Sequence, residues 1–416
     1  MHETKNQLRV IAALLVVVLS LAVGLVFYQP TAISASAGDG SITDEGEGEQ
    51  PTPHQRVREA TVSLDPSFAF SQTIGGSGDE QLVDVFYHGE RLYIFGNTTS
   101  VDYDFDRSGA FVAITDAYGK TLDFVSYEGK LVAVTLYEGG YLLAIDQSST
   151  PIAIAIDYDG REKKSLALPT VRAEVALDVK YVDGGYLFVT SLIQGITDFT
   201  KLKLTILTPD LEFKSSVVTD EVYSLDYVDT LDIMGSYKLV ANALSSLRNM
   251  LCTGTWGEKL AHFPHENSYT VSSFWVTDDI YYLATTVGKT MLITESGDVI
   301  TLTGAASHYA ISGDDRYIYV SAGSEFFCLD GSKISFSASY GVTSFWKDNG
   351  FVHSVSTLGS KMSIRSFLAG SKVYESTFVC SMTNAKVFTC EDGMLVLGNT
   401  SNTFGGDDIT FIKINY

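Results

Sequence analysis

From residue 68 onward, short apolar runs alternate with small polar clusters at a regular spacing. One run type recurs just after a polar turn. Its copies are RLYIFG (91–96), YLLAID (141–146), YLFVTS (186–191), YKLVAN (237–242), IYYLAT (280–285), YIYVSA (317–322), FVHSVS (351–356) and MLVLGN (394–399). The clusters before them include His88-Gly89, Glu138-Gly139-Gly140, Asp183-Gly184-Gly185, Gly313-Asp314-Asp315 and Asp348-Asn349-Gly350. Gly, Asn and Asp reach positive φ at little cost, so these clusters predict hairpin turns. Runs of this length, rich in aromatic and β-branched residues and bounded by such turns, predict strands.

A second turn follows some residues later, as in Asp116-Ala117-Tyr118-Gly119, Asp157-Tyr158-Asp159-Gly160, Ser296-Gly297-Asp298 and Asp330-Gly331-Ser332. Each unit then reads strand, turn, strand, loop, strand, turn, strand. Four antiparallel strands in about 43 residues make one propeller blade. Phe95-Gly96-Asn97-Thr98-Thr99-Ser100 returns as Leu397-Gly398-Asn399-Thr400-Ser401-Asn402, 302 residues later, which seven steps of about 43 would cover. Ser273-Phe274-Trp275 returns as Ser344-Phe345-Trp346. The fold class expected is all-β: an eight-bladed β-propeller, with seven blades as the alternative count, preceded by an N-terminal transmembrane helix.

The last unit ends after a third strand, DITFIKINY, whereas FAFSQTI (68–74) is a strand-like run with no preceding partner. Pairing 68–74 with 409–416 would complete the last blade and remove two exposed edges. The run Thr73-Ile74-Gly75-Gly76-Ser77-Gly78-Asp79-Glu80, then a strand, then Gly96-Asn97-Thr98-Thr99-Ser100, resembles the secreted bacterial β-propeller repeats built on a GGSGDD…GYTSS pattern. The strong matches cover residues 68–127 and 384–416; the middle units keep the hairpin spacing and lose most of the motif. The resemblance implies the fold. For function it implies only an accessory, binding or surface role.

Residues 8–28, LRVIAALLVVVLSLAVGLVFY, carry no charge except Arg9 and are long enough to cross about 30 Å of hydrocarbon. Lys5 and Arg9 stand at or before its start, and the next Lys or Arg is Arg56. The positive-inside rule expects a cytoplasmic tail (1–7), a transmembrane signal anchor (8–28) and everything beyond on the outside. The alternative is a cleaved signal peptide with its small-residue site near Ala37, giving a secreted protein. Residues 29–67 are expected to form an acidic flexible linker, because the Gly-, acid- and Pro-rich stretch 38–60 buries nothing.

Composition changes this picture in two ways. The net charge is −22, with a sequence pI of about 4.6. An acidic surface repels phosphate backbones, so no nucleic-acid partner is expected. The four cysteines, Cys252, Cys328, Cys380 and Cys390, form no Cys-x-x-Cys pair. They read as buried thiols, with a Cys380–Cys390 bridge as the alternative.

Asp102, Asp104 and Asp106 are the candidate metal ligands, since alternate carboxylates in a loop can wrap calcium. Arg107 stands where an EF-hand needs Gly, and Ala113 where it needs Glu. Apart from that calcium, no cofactor is expected. Asp157-Tyr158-Asp159-Gly160 fits a hairpin turn better than a metal loop. Trp275 and Trp346 recur at one repeat position, which argues for packing; with Trp256 they are also candidates for stacking on sugar rings. His262, His265 and Glu266 could meet a metal, but no further ligand stands at a fixed spacing. Asn97 and Asn399 open glycosylation sequons. No catalytic residue is assigned, for want of a nucleophile elbow, zinc-protease helix or phosphate loop.

The function expected is that of a membrane-tethered extracellular propeller acting as a non-enzymatic binding or scaffolding module. Its partner would be a protein or carbohydrate at the cell surface, its membrane contact residues 8–28, and its location the cell membrane as a single-pass protein. The rival is a propeller-type extracytoplasmic enzyme acting on glycans, a hydrolase or lyase.

Overall fold

The computed structural model describes residues 58–61, 70–100, 108–170, 173–182, 184–192, 199–218, 223–233, 236–245, 248–255, 261–262, 270–276, 279–286, 288–304, 309–339, 341–380, 382–390, 393–401 and 406–415. Residues 8–28, and with them the expected anchor, lie outside these. No helix among the described residues is long and apolar enough to cross a membrane.

Every regular element described is a strand. In chain order they are β1 (Arg58–Thr61), β2 (Phe70–Gly75), β3 (Glu80–His88), β4 (Arg91–Thr98), β5 (Gly109–Asp116), β6 (Thr121–Tyr127), β7 (Lys130–Tyr137), β8 (Gly140–Gln147), β9 (Thr150–Asp157), β10 (Glu162–Ala167), β11 (Glu174–Val182), β12 (Gly185–Leu192), β13 (Phe199–Leu207), β14 (Phe213–Val218), β15 (Tyr223–Ile233), β16 (Ser236–Ser245), β17 (Arg248–Thr255) and β18 (Ala261–His262). They continue as β19 (Thr270–Val276), β20 (Ile280–Thr286), β21 (Lys289–Thr294), β22 (Val299–Thr303), β23 (Tyr309–Gly313), β24 (Tyr317–Ala322), β25 (Glu325–Asp330), β26 (Lys333–Ala338), β27 (Ser344–Asp348), β28 (Phe351–Leu358), β29 (Lys361–Leu368), β30 (Ser371–Phe378), β31 (Thr383–Cys390), β32 (Gly393–Ser401) and β33 (Asp407–Asn415).

These strands form seven hydrogen-bonded sheets. Five are four-stranded antiparallel meanders: β3–β6 (the first blade), β7–β10 (the second), β19–β22, β23–β26 and β27–β30. An eight-stranded sheet holds two successive meanders, β11–β14 (the third blade) and β15–β18, joined through β13 and β15. The closing blade is five-stranded, in the order β1-β2-β33-β32-β31. Its register sets Phe70 opposite Lys413 and Ile74 opposite Ile409, so the two ends of the domain share one sheet. The first strand of each meander touches the first strand of the next, and β3 touches β32 and β33 of the closing blade. The result is a closed β-propeller.

Burial explains why one run type stood out in the sequence. Each of the eight runs falls on the second strand of its meander. In β4, β8, β12 and β32 that strand is buried almost throughout, because blades pack on both its faces. A strand covered on both faces reads as a continuous apolar run. The outermost β10, EKKSLA, is exposed at five of six positions and carries the charges that protect an edge. Between the first two blades, Tyr93, Phe95, Val112, Leu131, Tyr141 and Leu143 form one apolar cluster. Between the closing and first blades, Leu82, Phe111, Leu395, Leu397 and Phe411 form another.

The linker expected over 29–67 needs correction at its end. Arg58–Thr61 is strand β1, paired with β2 so that Arg58 faces Gly75 and Thr61 faces Gln72. Backbone pairing to an open edge needs no apolar sequence, and composition therefore gave no sign of it.

Candidate functional site

The repeated Gly-Asn-Thr motif has a structural role. The first strand of several blades carries a bulge at one position: Leu82/Asp84 in β3, Leu131/Ala133 in β7 and Ala176/Asp178 in β11. A bulge takes a backbone N–H out of its ladder, and a buried N–H needs another acceptor. The preceding blade supplies it. Leu82 N–H donates to Asn399 Oδ1 (3.2 Å), Leu131 N–H to Asn97 Oδ1 (2.7 Å) and Ala176 N–H to Asp146 Oδ1 (2.6 Å). Each Asn also returns a bond from its Nδ2, Asn399 to the Glu80 carbonyl (2.5 Å) and Asn97 to the Leu131 carbonyl (2.9 Å). Asp146 has no N–H to return, and burial raises its pKa against the lowering effect of the Ala176 N–H. The glycines give the bulge room, since a Cβ at Gly96 would lie 2.7 Å from the Gln81 carbonyl oxygen and one at Gly398 would lie 2.7 Å from that of Thr383.

Where the closing and first blades meet, these clamps floor a polar cleft of about 520 Å³. Gly75 to Asp79 carry the chain from β2 into β3 across it. Glu80, 1% exposed, accepts bonds from Gly76 N–H (3.0 Å), Thr98 Oγ1 (2.6 Å) and Ser100 Oγ (2.5 Å). Asp79 accepts from Asp407 N–H (3.0 Å), and Asn384 Nδ2 donates to the Leu82 carbonyl (2.7 Å). Lys386 Nζ reaches Asp84 Oδ1 (2.7 Å) while lying 4.3 Å from the centroid of the Trp346 ring. Gln81, Thr99, Asn384, Asp79 and Asp407 rim the cleft with exposed side chains. Glu80 is held by three donors and sealed from solvent, so this cleft offers no free carboxylic acid for glycosidic chemistry at that position.

The opposite end of the strands differs in chemistry. It carries the turns that join first to second and third to fourth strands. Of the fourteen exposed large apolar side chains among the described residues, ten lie at or near these turns, and the other four lie near the cleft end. Tyr87, Leu136 and Tyr181 occupy matching places at the ends of β3, β7 and β11. The Tyr137 ring stacks on the buried Tyr186 ring at 5.8 Å, and Tyr181 meets the same ring edge-on at 5.6 Å. His88 stacks on Tyr158 at 4.3 Å.

The candidates named from the sequence separate accordingly. Asp102, Asp104 and Asp106 lie outside the described residues, as do Trp256, His265 and Glu266. No group of three or more metal-binding side chains stands together among the described residues. Asp157 is a turn residue: its Oδ1 accepts from Asp159 N–H and Arg161 N–H, both 2.9 Å, and Gly160 takes φ 73°. Asp116 repeats the pattern with Tyr118 and Lys120. Trp275 and Trp346 are partly buried against apolar clusters, which is packing. Cys328, Cys380 and Cys390 are thiols, so Cys380 and Cys390 are not bridged. Burial pushes the Cys328 thiol up to about 12. Asn97 and Asn399, read as sequons, are the clamp residues; their recurrence at one repeat position was the available signal. Glu80 was missed as a buried anchor, because a lone Glu after a glycine-rich loop looks solvent-exposed in sequence.

No family model matches the chain, and no curated protein matches it. Solved structures do. The Dos1 propeller is similar over 82% of this chain and 93% of its own, with a TM-score of 0.51 and 12% identity. Dihydro-heme d1 dehydrogenase NirN in complex with DHE is similar over 78% of this chain and 74% of its own, with a TM-score of 0.51 and 12% identity. BamB from Moraxella catarrhalis is similar over 86% and 99%, with a TM-score of 0.48 and 8% identity. At such identities the first two likenesses speak for the propeller fold alone.

Proposed function

We propose that this chain is a membrane-tethered extracellular β-propeller of eight blades that works as a non-enzymatic binding or scaffolding module. The observation that carries the binding role is the one-sided apolar surface: exposed apolar groups gathered at one end of the strands mark interaction surfaces. Eight blades rather than seven is supported by the narrow link between β13 and β15 in the eight-stranded sheet, whose pairing is limited to Phe199 with Ser224 and Thr200 with Tyr223. The tether rests on the apolar run 8–28 and its flanking Lys5 and Arg9.

Two measurements test this. Protease added to intact cells should remove the propeller while sparing an N-terminal tag; protection of the propeller would overturn the topology. The purified full-length chain should bind surface proteins or glycans and leave a glycan panel uncleaved. Turnover of any glycan in that panel would overturn the binding-module reading in favour of the enzyme.

A further inference from the structure

The apolar face can be assigned a partner class, an inference that rests on the binding-module reading. Its turns are acidic. Among the described residues, the six connections that join first to second and third to fourth strands in the first three blades hold Glu90, Glu138, Asp159, Asp210 and Glu212 against Lys120 and Arg161. From the flanking strands Arg91 pairs with Asp159 at 3.5 Å and Lys164 Nζ donates to the Asp210 backbone carbonyl at 2.6 Å. The exposed Tyr87 and the half-buried Tyr137 stand among those carboxylates. Tyr137 feels Asp210 and Glu138, and Tyr87 feels Glu90; in both, burial is the larger cause of a raised pKa.

Elsewhere on the same face the chain fills equivalent places with its own cations. Arg316 lies 5.1 Å from the centroid of the Tyr317 ring and forms two bonds to Asp330, at 3.0 and 2.6 Å. Lys347 lies 5.6 Å from the Trp275 ring and 3.9 Å from Asp315. In each case an aromatic face and a carboxylate together hold a cation, the pairing that ring quadrupoles and acid groups favour. At Tyr137 the carboxylates of Glu138 and Asp210 stand near the ring, Tyr181 meets the same Tyr186 ring, and among the described residues no Lys or Arg lies over the ring of Tyr137 or Tyr181. Tyr181 is 54% exposed and Leu136 57%. A net charge of −22 also attracts a cationic chain from a distance.

We propose that the turn face of the first three blades docks a Lys/Arg-bearing segment of a protein partner. Tyr137 and Tyr181 would take the cationic side chains, with Glu138 and Asp210 as their counter-charges.

A fluorescent nona-arginine peptide, titrated against the full-length chain in uncharged detergent at roughly 150 mM salt, tests this. Tyr137→Ala with Tyr181→Ala, and separately Glu138→Gln with Asp210→Asn, should each weaken binding by about tenfold. Asp79→Asn with Asp407→Asn, at the cleft end, should leave it within about twofold. Melting curves establish that each variant is folded, and a second pair, Tyr137→Phe with Tyr181→Phe, keeps the rings and should bind normally. Equal losses at both ends, no loss at either, or no binding at this salt would overturn the assignment. So would binding of cellohexaose that disappears with the same tyrosines. None of these results bears on glycan turnover, which alone decides the wider reading.

Discussion

At the end of the strands where β2 passes into β3, polar side chains are occupied in holding blades to one another. At the opposite end, tyrosines and aliphatic side chains face solvent beside carboxylates. The difference follows from what each end must do. The cleft end joins blade to blade and closes the ring, and there Asn399, Asp79 and Asn384 bond across a junction, while the Glu80 side chain ties the incoming connection to Thr98 and Ser100 of its own blade. The turn end only reverses the chain within a blade. Its structural needs are met locally, as when Asp116 and Asp157 each hold two N–H groups of their own turn. Side chains that local bonding does not need are available for a partner. In this protein the polar cleft is thus a latch, and the plainer face is the better candidate for recognition.

The largest expected effect strikes the latch. Asn399→Ala would strand the Leu82 N–H and the Glu80 carbonyl in a buried junction, a loss of about 3 kcal/mol. Asn97→Ala removes the same pair of bonds at a half-buried site and should cost about half as much. Urea unfolding would measure both, and equal or negligible losses would show that the clamps do not close the ring.

Next comes acid. His353 is fully buried and bonds Ser366 Oγ through Nδ1 at 2.9 Å, and burial lowers its pKa from 6.5 to about 4. The folded protein therefore resists a proton that the unfolded chain accepts near 6.5. This contribution is complete above pH 6.5 and is lost as pH falls from there toward 4. At pH 5 the loss is about 2 kcal/mol. His353→Leu should remove that pH dependence; a slope unchanged by the substitution would place the titration elsewhere.

A smaller effect belongs to the turns. Asp116→Ala removes two bonds inside an exposed hairpin and should cost about 1 kcal/mol without disturbing its neighbours. The smallest is Tyr181→Ser, on the proposed docking face, which should change stability by no more than about 0.5 kcal/mol. A large loss there would make Tyr181 part of the fold and erase the contrast between the two ends.

Much of the architecture is legible in the chain because it is written in local chemistry. The apolar runs mark the second strands, since burial on both faces favours apolar residues there and admits a polar one only with a partner, as at Asn399. Glycine and aspartate mark the hairpins, since positive φ and side-chain caps need those residue types. The site is less legible. Gly96-Asn97 and Gly398-Asn399 show in the sequence only as a repeated pair, and nothing local says that each Asn satisfies a bulged strand in the next blade. Asp146 performs one half of the same task without any motif.

What the sequence determined by itself is the strand and turn pattern, the acidic charge and the apolar N-terminal run, because each depends on neighbours a few residues apart. Only the tertiary structure decided that β1 adds a fifth strand, that Glu80 is sealed among three donors, and that exposed tyrosines gather at one end. Those outcomes depend on groups brought together from far along the chain, as in the Thr73–Thr410 hydrogen bond of 2.8 Å. Hydrogen-bond satisfaction and packing across blades set them, and no local pattern encodes either.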